Sequence, residues 1–126
     1  MLDLVQERGL RLAVFSNKPH EFTLNCVEAF FPYREFEVVL GIKESIPHKP
    51  DPSGALMIAR RMGIAPASFL YLGDTGTDMQ TACAAGMYPV GALWGFRSSD
   101  ELIENGAKAL VSHPAEVADL CGKKAN

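Results

Sequence analysis

Short, continuous apolar runs recur along this sequence, and segments with a helical pattern separate them. Runs without alternating polar residues are typical of strands that are covered on both faces, as in parallel sheets. Strands that alternate with helices in this way predict an α/β fold, a doubly wound (Rossmann-like) parallel sheet in one domain spanning residues 1–126. The expected strands are 12–15, 36–40, 69–72, 89–93 and 109–111.

Ordinary start and stop residues bound the expected helices. Glycines follow the ends of several of them, as at Gly63, and prolines stand near the starts. Ser98 and Glu101 have the spacing of a capping box. The expected helices cover 2–9, a segment from Pro19, 52–62 with Asp51 as N-cap, 78–85, 98–105 and a last segment from Pro114.

Composition and charge exclude several functional classes. A net charge of −3 gives no basic surface for nucleic acid, and no apolar run approaches the length of about 20 residues that spans a bilayer. The N-terminus has no signal-peptide pattern, so a soluble, cytoplasmic protein without a membrane partner is expected. Cys26, Cys83 and Cys121 form no CxxC or zinc pattern, and free thiols are expected.

Ser16 and Asn17 directly follow the first expected strand. Doubly wound sheets place their binding sites beyond the carboxyl ends of the strands. A hydroxyl and free main-chain amides at the start of a helix favour a bound phosphate. An ordinary capped turn is the alternative interpretation of these residues.

Lys49 lies in a proline-rich loop after the second expected strand. Pro50 favours an extended backbone at the residue before it, so the lysine is rigidly mounted. Such an ammonium group can hold a phosphate and a carboxylate together. The alternative is a solvated lysine in a turn.

Asp74 and Asp78 follow the third expected strand, four residues apart. Carboxylate oxygens suit Mg²⁺, and Gly73 and Gly76 let the backbone turn tightly beside the ion. Alternatively, Asp74 forms a turn and Asp78 begins a helix. Because the phosphate loop, the lysine and the acidic pair all follow strands of one predicted sheet, together they predict a phosphate-plus-magnesium site.

Three stretches of the sequence are similar to motifs of the haloacid dehalogenase superfamily. Residues 14–18, Val-Phe-Ser-Asn-Lys, resemble its second motif, and 48–52, His-Lys-Pro-Asp-Pro, resemble its third. Residues 71–78, Tyr-Leu-Gly-Asp-Thr-Gly-Thr-Asp, resemble its fourth. The continuation through 84–102 is similar to the phosphoglycolate phosphatase branch, so the resemblance covers almost the whole chain.

The resemblance implies a magnesium-dependent phosphatase that hydrolyses small phosphorylated metabolites, such as phosphoglycolate, through an aspartyl-phosphate. Ser16 and the main-chain amide of Asn17 would bind the transferring phosphoryl group. Lys49 would neutralise charge between that group and the nucleophile, which makes Ser16 and Lys49 the expected catalytic residues. Asp74 would ligate Mg²⁺ directly, and Asp78 directly or through water.

The first motif of the superfamily, Asp-x-Asp-Gly-Thr at the end of the central strand, is absent from the 126 residues, and so is the helical cap. The resemblance therefore implies a core without its nucleophile and without its first central strand. Loss of a covalent nucleophile can cost on the order of 10⁶ in turnover, so we expect the chain alone to be inactive. The missing strand would leave an opening of about 10 Å between the strands at 12–15 and 69–72.

Three hypotheses account for these absences. The chain is a fragment of a phosphoglycolate-phosphatase-like enzyme, whose missing segment would precede residue 1. Alternatively, it is a non-catalytic binding or regulatory module, or one half of a split phosphatase completed by a partner strand. A non-catalytic module has no evident need for Ser16, Lys49, Asp74 and Asp78 together.

Other polar and aromatic residues receive weaker assignments. Trp94, Phe96 and Arg97 follow the fourth strand and could border the site, but packing of the two rings and a solvated arginine are favoured. The histidines at 20, 48 and 113 are assigned no catalytic role.

Overall fold

The computed structural model describes Val5, 7–31, 36–95 and 97–125. Residues 2–4 and 6 of the helix expected at 2–9, and Phe96, lie outside the described residues. The strands are β1 (Ala13–Pro19), β2 (Val38–Ile42), β3 (Leu70–Gly73), β4 (Tyr88–Ala92) and β5 (Ala109–Val111). The helices are α1 (His20–Phe30), α2 (Ser53–Met62), α3 (Gly76–Ala85), α4 (Ser99–Glu104) and α5 (Ala115–Ala125), with a 3₁₀ turn at Pro66–Ser68.

All strand pairs in the described residues are parallel, and β-strands alternate with α-helices along the chain. This confirms the predicted doubly wound α/β class. The strands form two groups, one in the order β1-β2 and one in the order β3-β4-β5. Among the described residues, β1 and β3 are not hydrogen-bonded to each other. The separation lies where the sequence predicted a missing central strand.

Apolar clusters cover both faces of the strands. One cluster contains Val90, with Leu12, Leu70 and Leu72 packed against it. Another gathers alanines of α2 and α3 around Phe15 and Tyr71. Because residues of β1 and of β3 contribute to the same clusters, the two strand groups share one hydrophobic core although they do not pair.

The observed boundaries differ from the expected ones by a few residues. The first strand continues to Pro19, and the second continues through Gly41, which was expected to end it. Helix α2 begins at Ser53 with Pro52 as its N-cap, one residue later than predicted. Helix α3 begins at Gly76 because the side chain of Thr75 caps it by accepting the amide of Asp78.

Two other local predictions, both about helix ends, are confirmed. Ser98 accepts a hydrogen bond from the amide of Glu101, as the capping pattern predicted. Gly63 and Gly86 end their helices with positive φ, a conformation that favours glycine. No disulfide joins the cysteines of the described residues. In the described part of the chain, no helix is long and apolar enough to cross a membrane.

Candidate functional site

A cavity of about 530 Å³ opens where the end of β1 meets the loops after β2 and β3. All of the site residues predicted from the sequence line it: Ser16, Asn17, Lys49, Asp74 and Asp78. The cavity lies at the carboxyl ends of parallel strands, where doubly wound sheets hold their ligands. Lys18 and Arg97 also line it, together with polar groups of α3 and α4.

Lys49 and Asp78 form a largely buried ion pair. The ammonium nitrogen lies 2.9 Å from Oδ1 of Asp78, and the two side chains are 11% and 12% exposed. The ammonium also donates to the main-chain oxygen of Phe15 over 3.3 Å and lies 5.1 Å from the centroid of its ring. These contacts place the positive charge of Lys49 between the end of β1 and the start of α3.

Four donors surround the carboxylate of Asp78. Its Oδ1 accepts from the Lys49 ammonium at 2.9 Å and from the Tyr71 hydroxyl at 3.3 Å. Its Oδ2 accepts from the amide of Asp74 at 3.3 Å and from the hydroxyl of Thr75 at 3.0 Å. A carboxylate has about four lone-pair sites, so in this arrangement Asp78 has little capacity left for a metal ion.

The environment of Tyr71 follows from the same arrangement. Burial raises the pKa of its hydroxyl far above the ordinary value, and the adjacent negative charge of Asp78 raises that pKa further. Tyr71 therefore stays a hydrogen-bond donor to Asp78. Gly73 makes room for the carboxylate, since a β-carbon at that position would lie 2.4 Å from Cβ of Asp78.

Asp74 presents its carboxylate to the cavity. None of the hydrogen bonds or ion pairs found among the described residues involves this carboxylate. Gly95 packs against it, since a β-carbon there would lie 2.6 Å from Oδ2 of Asp74. A hard oxygen ligand in a polar, open cavity fits Mg²⁺, which uses one or two carboxylates and keeps several waters. The described residues contain no cluster of three or more His, Cys, Asp or Glu side chains that could hold a metal ion.

Ser16 and Asn17 face the lysine and the acidic pair. The hydroxyl oxygen of Ser16 accepts the amide of Lys18 at 3.1 Å, which leaves its proton available to an anion. Oδ1 of Asn17 accepts the main-chain amide of Lys49 at 2.9 Å. The asparagine side chain thus fastens the loop after β2 to the end of β1.

Helix α4 supplies a further wall of the cavity. Oε2 of Glu101 accepts the amide of Gly76 at 2.9 Å, and Oε1 lies 3.5 Å from Nη1 of Arg97. Arg97 was expected to be only solvated, but it lines the cavity. Trp94 was expected to pack, but it is 45% exposed, because the turn after β4 carries it outside the apolar clusters. His48 is exposed, and His20 accepts the amide of Gly41.

Several contributors to the site were not predicted from the sequence: Tyr71, Thr75, Gly95 and Glu101. Tyr71 belongs to an apolar strand, where a hydroxyl gives no local signal of its partner. Glu101 was assigned only to a helix cap. One signal could have identified Thr75, since a threonine three residues before an acidic residue is typical of a helix start.

The match to known proteins covers most of the chain. Residues 1–92 match the model of the haloacid dehalogenase-like hydrolase family. Over 101 residues, 80% of the chain, the sequence is 38% identical to the phosphoglycolate phosphatase of Escherichia coli strain K12. It is 33% identical over 101 residues to the phosphoglycolate phosphatase of Salmonella paratyphi A. These matches span 40% of each relative's length.

Solved structures are also similar to this chain over most of its length. A candidate phosphoglycolate phosphatase from Lactobacillus delbrueckii subsp. bulgaricus superimposes with a TM-score of 0.88 at 34% identity. The superposition covers 95% of this chain and 51% of that one. A predicted phosphoglycolate phosphatase from Haemophilus somnus gives a TM-score of 0.83 at 26% identity, with 94% and 53% covered. The chain therefore corresponds to about half of each of these structures.

Proposed function

Because the chain belongs to the haloacid dehalogenase-like hydrolase family, we propose that it forms the phosphate- and magnesium-binding part of a phosphatase that hydrolyses small phosphate monoesters. One observation carries the proposal. Ser16 in β1, Lys49 in the loop after β2, Asp74 after β3 and Asp78 in the first turn of α3 line one cavity at the carboxyl ends of the strands. Groups that can bind a phosphate and a carboxylate that can bind a metal ion thus line one cavity, and all of them belong to this chain.

Each residue has a role that follows from its contacts. The Ser16 hydroxyl and the amide of Asn17 donate to oxygens of the phosphoryl group. The Lys49 ammonium faces the same group and is held in place by Asp78 and by the carbonyl of Phe15. Fixed donors of this kind stabilise charge as it shifts in the transition state, without reorganisation during the reaction.

Asp74 is the residue proposed to ligate Mg²⁺ directly. Its carboxylate faces the cavity, whereas that of Asp78 already accepts four donors. Asp78 would then contact the metal at most through water, while it holds Lys49 and the amide of Asp74. When bound, Mg²⁺ supplies positive charge that offsets the negative charge of the phosphoryl oxygens.

The nucleophile is proposed to be an aspartate outside the 126 residues. An extended strand between β1 and β3 would pair with both and would reach the cavity beside Lys49, whose ammonium group donates to the main-chain oxygen of Phe15 in β1. Its carboxylate would attack phosphorus, the alcohol would leave with a proton, and water would then hydrolyse the aspartyl-phosphate. Either a preceding segment of a longer chain or a separate polypeptide could supply this strand. Without it, residues 1–126 are proposed to be inactive.

The proposed substrates are small phosphorylated metabolites of the phosphoglycolate type. The support is the identity of 38% to a phosphoglycolate phosphatase and the polar lining of the cavity. The cap that would enclose such a substrate is absent from the sequence, so discrimination among these esters rests partly on residues outside the chain.

Complementation tests this proposal. Phosphate release from phosphoglycolate and from p-nitrophenyl phosphate is measured with Mg²⁺, first for the chain alone and then with a synthetic apolar strand peptide that ends in Asp-x-Asp-Gly-Thr. We expect no turnover by the chain alone and measurable turnover with the peptide. The matched control is the same peptide with its first Asp replaced by Asn, which should restore nothing.

Two results would contradict the proposal. Turnover by the chain alone that Lys49→Met abolishes would show that the nucleophile lies within residues 1–126. Equal turnover with the Asp and the Asn peptides would show that the added aspartate is not the nucleophile.

A further inference from the structure

Arg97 is a further cationic group that lines the cavity, besides Lys18 and Lys49. It follows β4, whereas the proposed phosphate-binding groups lie in β1 and in the loop after β2, and all of them line the same cavity. A volume of about 530 Å³ falls within the range of small-molecule sites. There is space for more of a substrate than its phosphoryl group.

The charge of Arg97 is only partly neutralised. Among the described residues it forms an ion pair with Glu101, a 3.5 Å contact between Nη1 and Oε1, and the two side chains are 56% and 34% exposed. A guanidinium group carries five N–H donors in a planar fork that matches a carboxylate. By contrast, Lys49 is engaged at 2.9 Å by Asp78. Arg97 therefore has N–H groups available to a ligand, whereas the ammonium group of Lys49 is held by Asp78.

Glu101 fixes where this guanidinium group lies. One carboxylate oxygen accepts the amide of Gly76, in the loop that carries Asp74, and the other contacts Arg97. Asn105 donates its side-chain amide to the main-chain oxygen of Glu101 at 2.8 Å and thereby supports the same turn of α4. Through Glu101, the position of Arg97 is set relative to the proposed metal-binding loop.

Lys18 is less suited than Arg97 to bind a carboxylate. Its ammonium nitrogen lies 5.2 Å from the centroid of the Phe22 ring, which draws the side chain over the first turn of α1. A lysine also lacks the planar fork that a carboxylate can engage with two parallel hydrogen bonds.

We propose that Arg97, positioned by Glu101, is a specificity-determining residue that binds a second anionic group of the substrate, a carboxylate on the alcohol side of the phosphate ester. This inference rests on the proposed function, because it takes the phosphoryl group to lie between Ser16 and Lys49. Arg97 then favours phosphate esters of hydroxy acids over phosphate esters of similar size whose alcohol part carries no charge.

Paired ligand titrations test the inference without any need for turnover. The chain is titrated in the presence of Mg²⁺ with phosphoglycolate and, separately, with ethyl phosphate, which lacks the carboxylate. Amide chemical shifts detect binding even in the millimolar range. The variants are Arg97→Gln and, as a matched control, Arg61→Gln, since Arg61 is exposed on α2 and does not line the cavity.

We expect the unmodified chain to bind phosphoglycolate more tightly than ethyl phosphate. Arg97→Gln should reduce that preference by roughly two- to fivefold, the range of a partly exposed ion pair, and leave the affinity for ethyl phosphate unchanged. Arg61→Gln should change neither affinity. Glu101→Gln should weaken the preference less than Arg97→Gln, because the guanidinium group remains.

Each other outcome overturns a defined claim. If Arg97→Gln weakens both ligands equally, or neither, Arg97 does not recognise the carboxylate and the inference fails while the phosphate site stands. If the unmodified chain binds neither ester with Mg²⁺, the phosphate site itself is wrong and this inference is overturned with it.

Discussion

The side chain of Asn17 accepts a hydrogen bond from the main-chain amide of Lys49 over 2.9 Å. Asn17 lies near the end of β1, and Lys49 lies in the loop after β2. The bond holds the backbone of the lysine beside Ser16, while Asp78 holds its ammonium group. The distance between the proposed phosphate-binding groups is therefore set by two contacts at opposite ends of one residue.

Replacing Asn17 by Ala should weaken phosphate binding and should lower the free energy of unfolding only slightly. Because the contact is exposed, the amide of Lys49 can form a hydrogen bond with water instead. The free energy of unfolding should therefore fall by about 1 kcal/mol or less. Phosphate affinity with Mg²⁺ should fall severalfold, as measured by titration calorimetry. Asn25→Ala, on the exposed face of α1, is the control. Equal affinities of the Asn17→Ala and Asn25→Ala variants would exclude a positioning role.

Replacing Asp78 by Ala should be among the most damaging single changes. It would leave the Lys49 ammonium largely buried without its ion partner, a loss that typically lowers the free energy of unfolding by about 3–5 kcal/mol. Urea denaturation measures this, with Asp119→Asn on the exposed face of α5 as the control. Where the single variant does not fold, the double variant Lys49→Met/Asp78→Leu should recover folded protein. If the double variant were no more stable than Asp78→Ala, the unpaired Lys49 ammonium would not be the cause of the lost stability.

Tyr71→Phe should change how stability depends on pH at the alkaline end. The hydroxyl of an unfolded tyrosine has a pKa near 10, and burial followed by the charge of Asp78 raises the pKa in the folded chain. Above pH about 10 the unfolded state binds fewer protons than the folded state, so stability falls as pH rises. Below that pH this contribution is fully present.

The test compares the free energy of unfolding of the chain and of Tyr71→Phe at several values between pH 8 and pH 11. The unmodified chain should lose stability more steeply above pH about 10. Two parallel curves would show that Tyr71 ionises no differently in the folded and unfolded states.

Gly95→Ala should impair the proposed metal site selectively. The added β-carbon would lie 2.6 Å from both Cβ and Oδ2 of Asp74, closer than such contacts allow, so the carboxylate must shift. We expect a clear loss of Mg²⁺ affinity by calorimetry, with a smaller change in the free energy of unfolding. Gly63→Ala meets no atom within 4 Å but is strained by its φ of +66°, so it controls for a loss of stability away from the cavity. Unchanged Mg²⁺ affinity in Gly95→Ala would argue against Asp74 as the ligand.

Sequence patterns predicted the fold class and the membership of the cavity, but not the contacts within it. Continuous apolar runs revealed the parallel strands because burial on both faces removes polar residues from the pattern. The positions of Ser16, Lys49 and Asp74 after successive strands predicted their convergence, since parallel strands end at the same edge. The pattern could not show that Asp78 already accepts four donors, or that Arg97 enters the cavity. Those relationships depend on side-chain packing between segments distant in the sequence.

The separation of β1 from β3 leads to the last prediction. Each of these strands has one neighbour in the described residues, whereas β4 pairs with both β3 and β5. Unpaired strand edges recruit other strands, so the chain should self-associate as its concentration rises in analytical ultracentrifugation. Amides of β4 should exchange with solvent most slowly, and alternate amides of β1 and β3 should exchange fast.

The strand peptide that ends in Asp-x-Asp-Gly-Thr should suppress this association and slow exchange at both edges together, because a single inserted strand would pair with β1 on one side and β3 on the other. A peptide of the same composition in scrambled order is the control. Slower exchange at only one edge would mean that the two strands lie too far apart, or at the wrong angle, for one strand to bridge them. A chain that stays monomeric, with exchange unaffected by either peptide, would show that its own residues already close the separation.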